Sequence, residues 1–198
     1  LMRQSFADAL KDLSQWLNES SLSSAHNAVG WRQPFYLAYQ ETSNKELISE
    51  YGKICQKVMQ HWQRVHQLIS SPRARTNNDR IQIGIVSSHI HQHSVWDAII
   101  KGWVQNLNLE LFEIHIFYVS GYNDQETALA KSLAASFTEN LSNLEHWARA
   151  ILDKQVDILI YPEIGMDALT CKLANLRLAP VQVASWGHPE TTGLPTID

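Results

Sequence analysis

Short apolar segments alternate with amphipathic segments over residues 80–198, and this alternation restricts the possible folds more than any other feature. Four apolar runs have the length of buried strands: Ile81–Val86, Leu111–Val119, Val156–Tyr161 and Val181–Ser185. The segments between them have helical spacing of their apolar residues: 95–107, 125–136, 143–154 and 166–176. Strands that alternate with helices join through right-handed crossovers into a parallel sheet covered on both faces. We therefore predict an α/β fold with a Rossmann-like parallel sheet.

Residues 1–70 have a different pattern, in which helical periodicity dominates. Apolar residues recur at intervals of three and four from Asn44 to Ile69, which predicts a long amphipathic helix, and Ser5–Leu17 predicts a shorter one. The Ser-rich segment Glu19–Asn27 has the composition of a loop, and the polar segment Ser70–Asp79, with Pro72, that of a linker. We predict a helical segment over 1–70 and a Rossmann-like domain over 80–198.

Composition excludes several classes of partner. The 198 residues carry a formal net charge of −4, and no dense run of Lys or Arg is present, so we expect neither nucleic acid nor a membrane surface as a partner. No window approaches the ~18 consecutive apolar residues of a membrane span, and the chain is expected to be cytoplasmic. Cys55 and Cys171 stand in no metal or redox motif, which predicts buried thiols.

Polar residues follow three of the predicted strands, where ligands of parallel sheets bind. The first strand leads into Ser87 and Ser88 and then a His-x-His-x-His run, His89, His91 and His93. Glu163 and Asp167 follow Tyr161, and a further polar loop follows Ser185. No G-x-G-x-x-G run is present, so a dinucleotide cofactor is not predicted and we expect no cofactor. Hydroxyl and N–H groups at these loops can hold a sugar or phosphate, and an imidazole can relay a proton near neutral pH.

Several of these segments resemble a known family. The end of the chain, RLAPVQVASWGHPETTGLPTID at 177–198, has an apolar strand, Pro180–Ser185, followed by the loop Trp186–Gly193. The segment 80–93, RIQIGIVSSHIHQH, contains a strand followed by Val-Ser-Ser and then a His. Three further segments are ELFEIHIFY (110–118), VDILIYPE (156–163) and GWRQPFYLAYQE (30–41). Together these resemble the O-linked N-acetylglucosamine transferase (SPINDLY-like) family, in particular its bacterial members with tetratricopeptide repeats.

The resemblance implies the N-terminal half of a two-Rossmann-domain glycosyltransferase, preceded by the end of a repeat array. It implies transfer of N-acetylglucosamine from UDP-GlcNAc to Ser or Thr of a protein acceptor, with the UDP-sugar as a substrate. The nucleotide-binding C-terminal half of the family is missing from this chain, so the half alone is expected to be inactive. By resemblance His93 is the catalytic candidate. The substrate-binding candidates are Ser87, Ser88, Glu163, Gly187, His188, Pro189, Thr191, Thr192 and Gly193.

Other interpretations of the same residues stay open. His93 can instead be a helix-start residue beside Ser94 as N-cap, and Glu163 and Asp167 can cap a helix. His89, His91 and His93 lie at alternate positions, a spacing that also fits metal ligands of a hydrolase. Thr191 and Thr192 can simply close a tight loop. A further alternative is a protein-binding or scaffold module without catalysis.

Overall fold

The computed structural model describes residues 2–32, 34–71, 74, 76 and 79–198, and it confirms the predicted α/β class. Five strands form one sheet in which every pair is parallel, with the spatial order third, second, first, fourth, fifth. The strands are β1 (Ile81–Ser87), β2 (Phe112–Tyr118), β3 (Ser136–Glu139), β4 (Ile158–Tyr161) and β5 (Val181–Ala184).

Helices precede the sheet and connect its strands. A π-helical turn, Trp96–Ile100, runs directly into the helix that links β1 to β2, and a 3-10 helix spans Phe35–Tyr39. In the described residues no helix is long and apolar enough to cross a membrane. The α-helices are α1 (Met2–Trp16), α2 (Glu19–Ala25), α3 (Lys45–Val65), α4 (Lys101–Asn106), α5 (Gln125–Leu133), α6 (Leu144–Lys154) and α7 (Ala168–Ala174).

The strand order reverses between β1 and β4. The chain adds β2 and β3 on one side of β1 and then returns to add β4 and β5 on the other side. The two connections therefore leave the carboxyl ends of β1 and β4 in opposite directions, which opens a crevice at that point of the sheet. The loops after Ser87 and Tyr161 flank this crevice.

Apolar residues cover both faces of the sheet. Ile83 and Ile85 of β1 belong to one buried cluster, together with Trp96, Ile100 and other residues of the connections to β2 and β3. Val86 and Leu159 belong to a second cluster on the opposite side, which contains residues of α6 and α7 and also of α3. Two-sided burial explains why the strands are continuous apolar runs rather than alternating ones.

Two predictions of local structure are wrong. The predicted helix 125–136 ends at Leu133, and Ser136–Glu139 forms the edge strand β3, which the sequence did not indicate because it has four half-buried residues and no apolar run. The predicted loop Glu19–Asn27 contains helix α2. Asn18 caps it, because its side chain accepts a hydrogen bond from the Ser21 amide while the Ser21 hydroxyl accepts one from the Asn18 amide.

Helix α3 packs directly against the sheet domain. Val58, Met59 and Trp62 lie in the same buried cluster as Trp147 of α6 and Leu173 of α7. The predicted linker falls partly on residues 72, 73, 75, 77 and 78, including Pro72, which lie outside the described residues. The predicted domain boundary at this linker stays a prediction. Helix α3 and the sheet domain share one buried apolar cluster.

Candidate active site at the ends of β1 and β4

A buried carboxylate connects the loops that flank the crevice. Glu163 lies two residues beyond β4 and its side chain is fully buried. Its Oε1 atom accepts a hydrogen bond from the Ser87 hydroxyl (2.8 Å) and one from the Ser88 amide (2.9 Å). Among the described residues, no hydrogen-bond partner of the other carboxylate oxygen, Oε2, is found. A buried carboxylate oxygen without a partner is costly, and an ordered water or a functional role can account for it.

His89 completes this group. Its Nδ1 atom lies 3.3 Å from Glu163 Oε1 and 2.8 Å from the Ser88 hydroxyl oxygen, and its amide donates to the Ser87 hydroxyl oxygen at 2.9 Å. The ring is mostly buried, with 17% of the side chain exposed. Glu163 thus contacts every residue of the segment 87–89, and it fixes the path of the chain as it leaves β1.

The other two histidines of the run each use Nδ1 in a local hydrogen bond. His91 Nδ1 lies 3.0 Å from the Tyr118 hydroxyl, which in turn donates to the Tyr122 carbonyl. His93 Nδ1 accepts from the Val95 amide at 3.1 Å, at the beginning of the π-helical turn. The His93 ring therefore binds the backbone at the beginning of the helix through Nδ1. Its Nε2 atom is the ring nitrogen that can contact a substrate.

The three imidazoles form one cluster. Ring centroids are 4.1 Å apart for His89 and His93, 5.8 Å for His89 and His91, and 5.7 Å for His91 and His93. Burial lowers the pKa of His93, and the neighbouring imidazoles of His89 and His91 lower it further. Burial and the His89 ring likewise lower the pKa of His91, against the opposing charge of Asp124. A charge on one ring therefore disfavours a charge on its neighbour.

The loop after β5 packs on the loop that carries Glu163. The Gly187 amide donates to the Pro162 carbonyl at 3.0 Å, and a Cβ atom at position 187 would lie 2.5 Å from that oxygen and 3.0 Å from Glu163 Cβ. Glycine at 187 is therefore required by this close approach. The His188 ring lies beside Gly165, where a Cβ atom would be 3.1 Å from it, and burial lowers the pKa of His188. Pro189 is exposed beside it.

The remaining residues of this loop face helix α3. Thr191 and Thr192 line a cavity of about 30 Å³ together with Ile48 and Tyr51 of that helix. A space of this size holds about one water molecule and no sugar ring. Gly193 adopts φ 62°, and a Cβ there would lie 2.4 Å from the Ile48 carbonyl oxygen. The structure thus brings Gly187 to the crevice and places Thr191, Thr192 and Gly193 against α3.

Two alternative roles can be compared with this geometry. Asp167 is an N-cap, because its Oδ1 atom accepts hydrogen bonds from the amides of Leu169 (2.9 Å) and Thr170 (2.8 Å). Glu163 caps no helix. As for metal binding, within residues 2–32, 34–71, 74, 76 and 79–198 no group of three or more His, Cys, Asp or Glu side chains is arranged to hold an ion.

Two residues of this region were not among the candidates for sugar transfer. His89 was considered only as a metal ligand in the His-x-His-x-His run, because the resemblance does not extend to it. Trp186 is 68% exposed beside Gly187. An exposed tryptophan directly after a strand of a parallel sheet is a signal for a stacking surface at the ligand edge.

Comparison with known proteins supports the fold. No family model matches the chain, and no similar curated protein is found. Among solved structures, the K341M mutant of the Thermobaculum terrenum O-GlcNAc transferase is similar, with a TM-score of 0.57 and 19% sequence identity. The match covers 91% of this chain and 36% of that one, so the chain spans about a third of the length of its structural relative. The likeness shows that the fold of this chain is similar to part of that structure.

Proposed function

We propose that this chain is the N-terminal half of the catalytic region of a glycosyltransferase. In the parent polypeptide it would transfer N-acetylglucosamine from UDP-GlcNAc to Ser or Thr hydroxyls of a protein acceptor. The observation that carries the proposal is the polar group at the crevice between β1 and β4, where Glu163, Ser87 and the imidazole cluster meet. The similarity of the fold to an O-GlcNAc transferase supports it.

The hydrogen bonds of the loop after β1 indicate which part of the reaction this half performs. The amides of Ser88, His89, Gln92 and Val95 all donate to acceptors within the chain. They are therefore occupied, and the carboxylate of Glu163 repels an anion. A nucleoside diphosphate also needs cations, and residues 88–95 contain no Lys or Arg, which fits a nucleotide site in a second Rossmann half.

Proton transfer is the chemistry that remains for this half. The acceptor hydroxyl must lose its proton as it attacks the anomeric carbon, and imidazoles near neutrality are suited to that step. His93 is the candidate from the sequence. Because its Nδ1 accepts the Val95 amide, a neutral His93 carries its proton on Nε2 and offers a hydrogen-bond donor, suited to hold a sugar or phosphate oxygen.

The test is transfer of labelled N-acetylglucosamine from UDP-GlcNAc to protein by the parent polypeptide, comparing wild type, His93→Ala and His146→Ala. His146 is exposed on α6 and serves as the control. We expect His93→Ala to lose about 10²-fold in rate with folding retained, and His146→Ala to keep the wild-type rate. Unchanged transfer by His93→Ala would reduce His93 to a helix-start residue, and no transfer by the wild type would reject the proposed function.

A protein-binding module without catalysis is the second candidate, and exposed aromatic side chains favour it. Trp16 is 60% exposed and Trp31 is 74% exposed in the helical segment. Large exposed aromatic residues are enriched at protein interfaces. If the parent polypeptide transfers no sugar, these residues become the first to substitute in a binding assay.

A further inference from the structure

His89 is in contact with Glu163, and this contact distinguishes it from the other two imidazoles of the cluster. From the hydrogen-bond geometry we propose that His89 is the general base of the proposed sugar transfer, with Nε2 as the basic atom, and that Glu163 is the residue that positions it. This inference rests on the proposed function for its substrate. It assigns the proton-accepting role to a residue other than His93.

The position of the hydrogen on each imidazole ring decides which nitrogen is basic. An ionised carboxylate can only accept hydrogen bonds, so a bare Nδ1 lone pair of His89 facing Glu163 Oε1 at 3.3 Å would be repulsive. A hydrogen on Nδ1 removes this repulsion, and the same hydrogen reaches the Ser88 hydroxyl oxygen at 2.8 Å. In neutral His89 the lone pair is then on Nε2. Among the described residues no hydrogen bond to that atom is found.

The hydrogen bonds around Ser87 support the same assignment. The Ser87 hydroxyl oxygen accepts the His89 amide, so its hydrogen is directed to Glu163 Oε1. The Ser88 amide donates to the same oxygen. Oε1 therefore receives donors from three consecutive residues. A carboxylate with this many donors is held rigidly and orients the imidazole that it contacts.

The other two imidazoles are less suited to be the base. His93 has its neutral-state hydrogen on Nε2, because Nδ1 accepts the Val95 amide. His91 must donate from Nδ1 to the Tyr118 oxygen, since the Tyr118 hydroxyl hydrogen goes to the Tyr122 carbonyl. Its Nε2 is basic and the charge of Asp124 favours its protonated form, but its Nδ1 hydrogen goes to a neutral phenol rather than to a carboxylate. A carboxylate stabilises the imidazolium that forms during proton transfer, and of the three imidazoles His89 is the one with a carboxylate oxygen 3.3 Å from a ring nitrogen.

One bond forms and one breaks at the anomeric carbon, and one proton is transferred. The acceptor oxygen forms a bond to the anomeric carbon, and its proton moves to His89 Nε2. The bond between the anomeric carbon and the phosphate oxygen of the nucleoside-diphosphate sugar breaks, and its electron pair leaves with the diphosphate. Glu163 stabilises the positive charge on His89 and stays ionised. The His89 proton is returned to solvent or to the leaving phosphate before the next cycle.

The first test needs no sugar transfer. Nitrogen–proton correlation NMR on this chain distinguishes hydrogens on Nδ1 from those on Nε2. We expect neutral His89 to carry its hydrogen on Nδ1 and neutral His93 on Nε2. In Glu163→Gln the Nδ1–H fraction of His89 should fall while that of His91 is retained, with Glu145→Gln, a carboxylate change on α6, as the control. Neutral His89 with its hydrogen on Nε2 in the wild type would overturn the pairing.

The second test measures the base directly, in the parent polypeptide with UDP-GlcNAc and a protein acceptor. His89→Gln should lose about 10²-fold in kcat with the KM for UDP-GlcNAc little changed. Glu163→Gln should lose less in kcat, and His91→Gln should also lose less than His89→Gln. A His89→Gln enzyme with a normal kcat would reject the general base while leaving the proposed transferase function intact. If the wild type transfers no sugar, the function and the base both fail, and the NMR result still decides the pairing.

Discussion

The Ser87 hydroxyl donates a 2.8 Å hydrogen bond to Glu163 Oε1 across 76 residues of sequence, with both side chains buried. This bond joins the carboxyl end of β1 to the loop after β4 at the point where the strand order reverses. A parallel sheet opens a crevice there, and in this chain a buried carboxyl group and its hydrogen-bond donors lie at the crevice. The bond is therefore both a structural link and part of the candidate active site.

Ser87→Ala is expected to lower the free energy of unfolding by about 1–3 kcal/mol. The change removes a donor to a buried carboxylate and also the acceptor of the His89 amide. Urea unfolding followed by circular dichroism measures the effect. Ser132→Ala is the control, since that exposed hydroxyl only donates to the Leu129 carbonyl within α5, and we expect a change within about 0.5 kcal/mol. Equal stability of both variants would show that the Ser87–Glu163 bond contributes nothing.

Gly52→Ala should destabilise the contact between α3 and the loop after β5. A Cβ atom at position 52 would lie 2.1 Å from the Gly193 carbonyl oxygen, so one backbone has to move. We expect a loss of about 1–3 kcal/mol, visible as a lower Tm. Gly102→Ala is the matched control in α4, where a Cβ has no neighbour within 4 Å, and it should stabilise by about 0.5–1 kcal/mol. A Gly52→Ala protein as stable as wild type would contradict the packing of α3 on this loop.

His115 should make the protein less stable in mild acid. It is buried in β2, with Nε2 2.6 Å from Gln82 Oε1 and Nδ1 2.8 Å from the Ser136 hydroxyl oxygen. Burial lowers its pKa from 6.5 to about 4, and the charge of Lys154 adds to this effect. The unfolded chain therefore binds more protons than the folded one between these values, and stability falls as the pH decreases through this range.

The contribution of His115 can be isolated by substitution. Wild type should lose about 1–3 kcal/mol between pH 7 and pH 4.5 through this residue, beyond the loss from other groups. In His115→Gln that part of the pH dependence should disappear, as measured by urea unfolding at the two pH values. The exposed His146→Gln variant should keep the wild-type dependence. Identical pH dependence in all three proteins would show that His115 does not titrate between its folded and unfolded states as described.

His89→Gln should raise the pKa of His93. The two rings are 4.1 Å apart, and the positive charge of His89 opposes protonation of His93, although burial is the larger cause of its lowered pKa. Removing the His89 ring should therefore move the His93 pKa part of the way back to its ordinary value. A proton NMR titration of the ring resonances measures the change, and His146→Gln should leave His93 unaltered. A lower His93 pKa in His89→Gln would contradict the direct interaction of the rings.

The fold class could be predicted from the sequence because burial on both faces of a parallel strand produces a local signal. Runs such as Ile81–Val86 are apolar throughout, and the helical spacing between runs is visible within a dozen residues. The same pattern placed the loops after Ser87, Tyr161 and Ser185 at one edge of the sheet. The signal disappears where burial is partial, so the half-buried strand Ser136–Glu139 and helix α2 were missed.

The sequence by itself therefore determined the strand–helix alternation, the edge of the sheet that carries the polar loops, and the supply of histidines there. Only the tertiary structure decided which of these residues meet. The contact between His89 and Glu163 joins positions 74 residues apart, and the Gly52–Gly193 approach joins two glycines that show no pattern in common. Such pairs depend on strand order and on the packing of α3, which are set by the sum of many burial contacts rather than by any local spacing of residues.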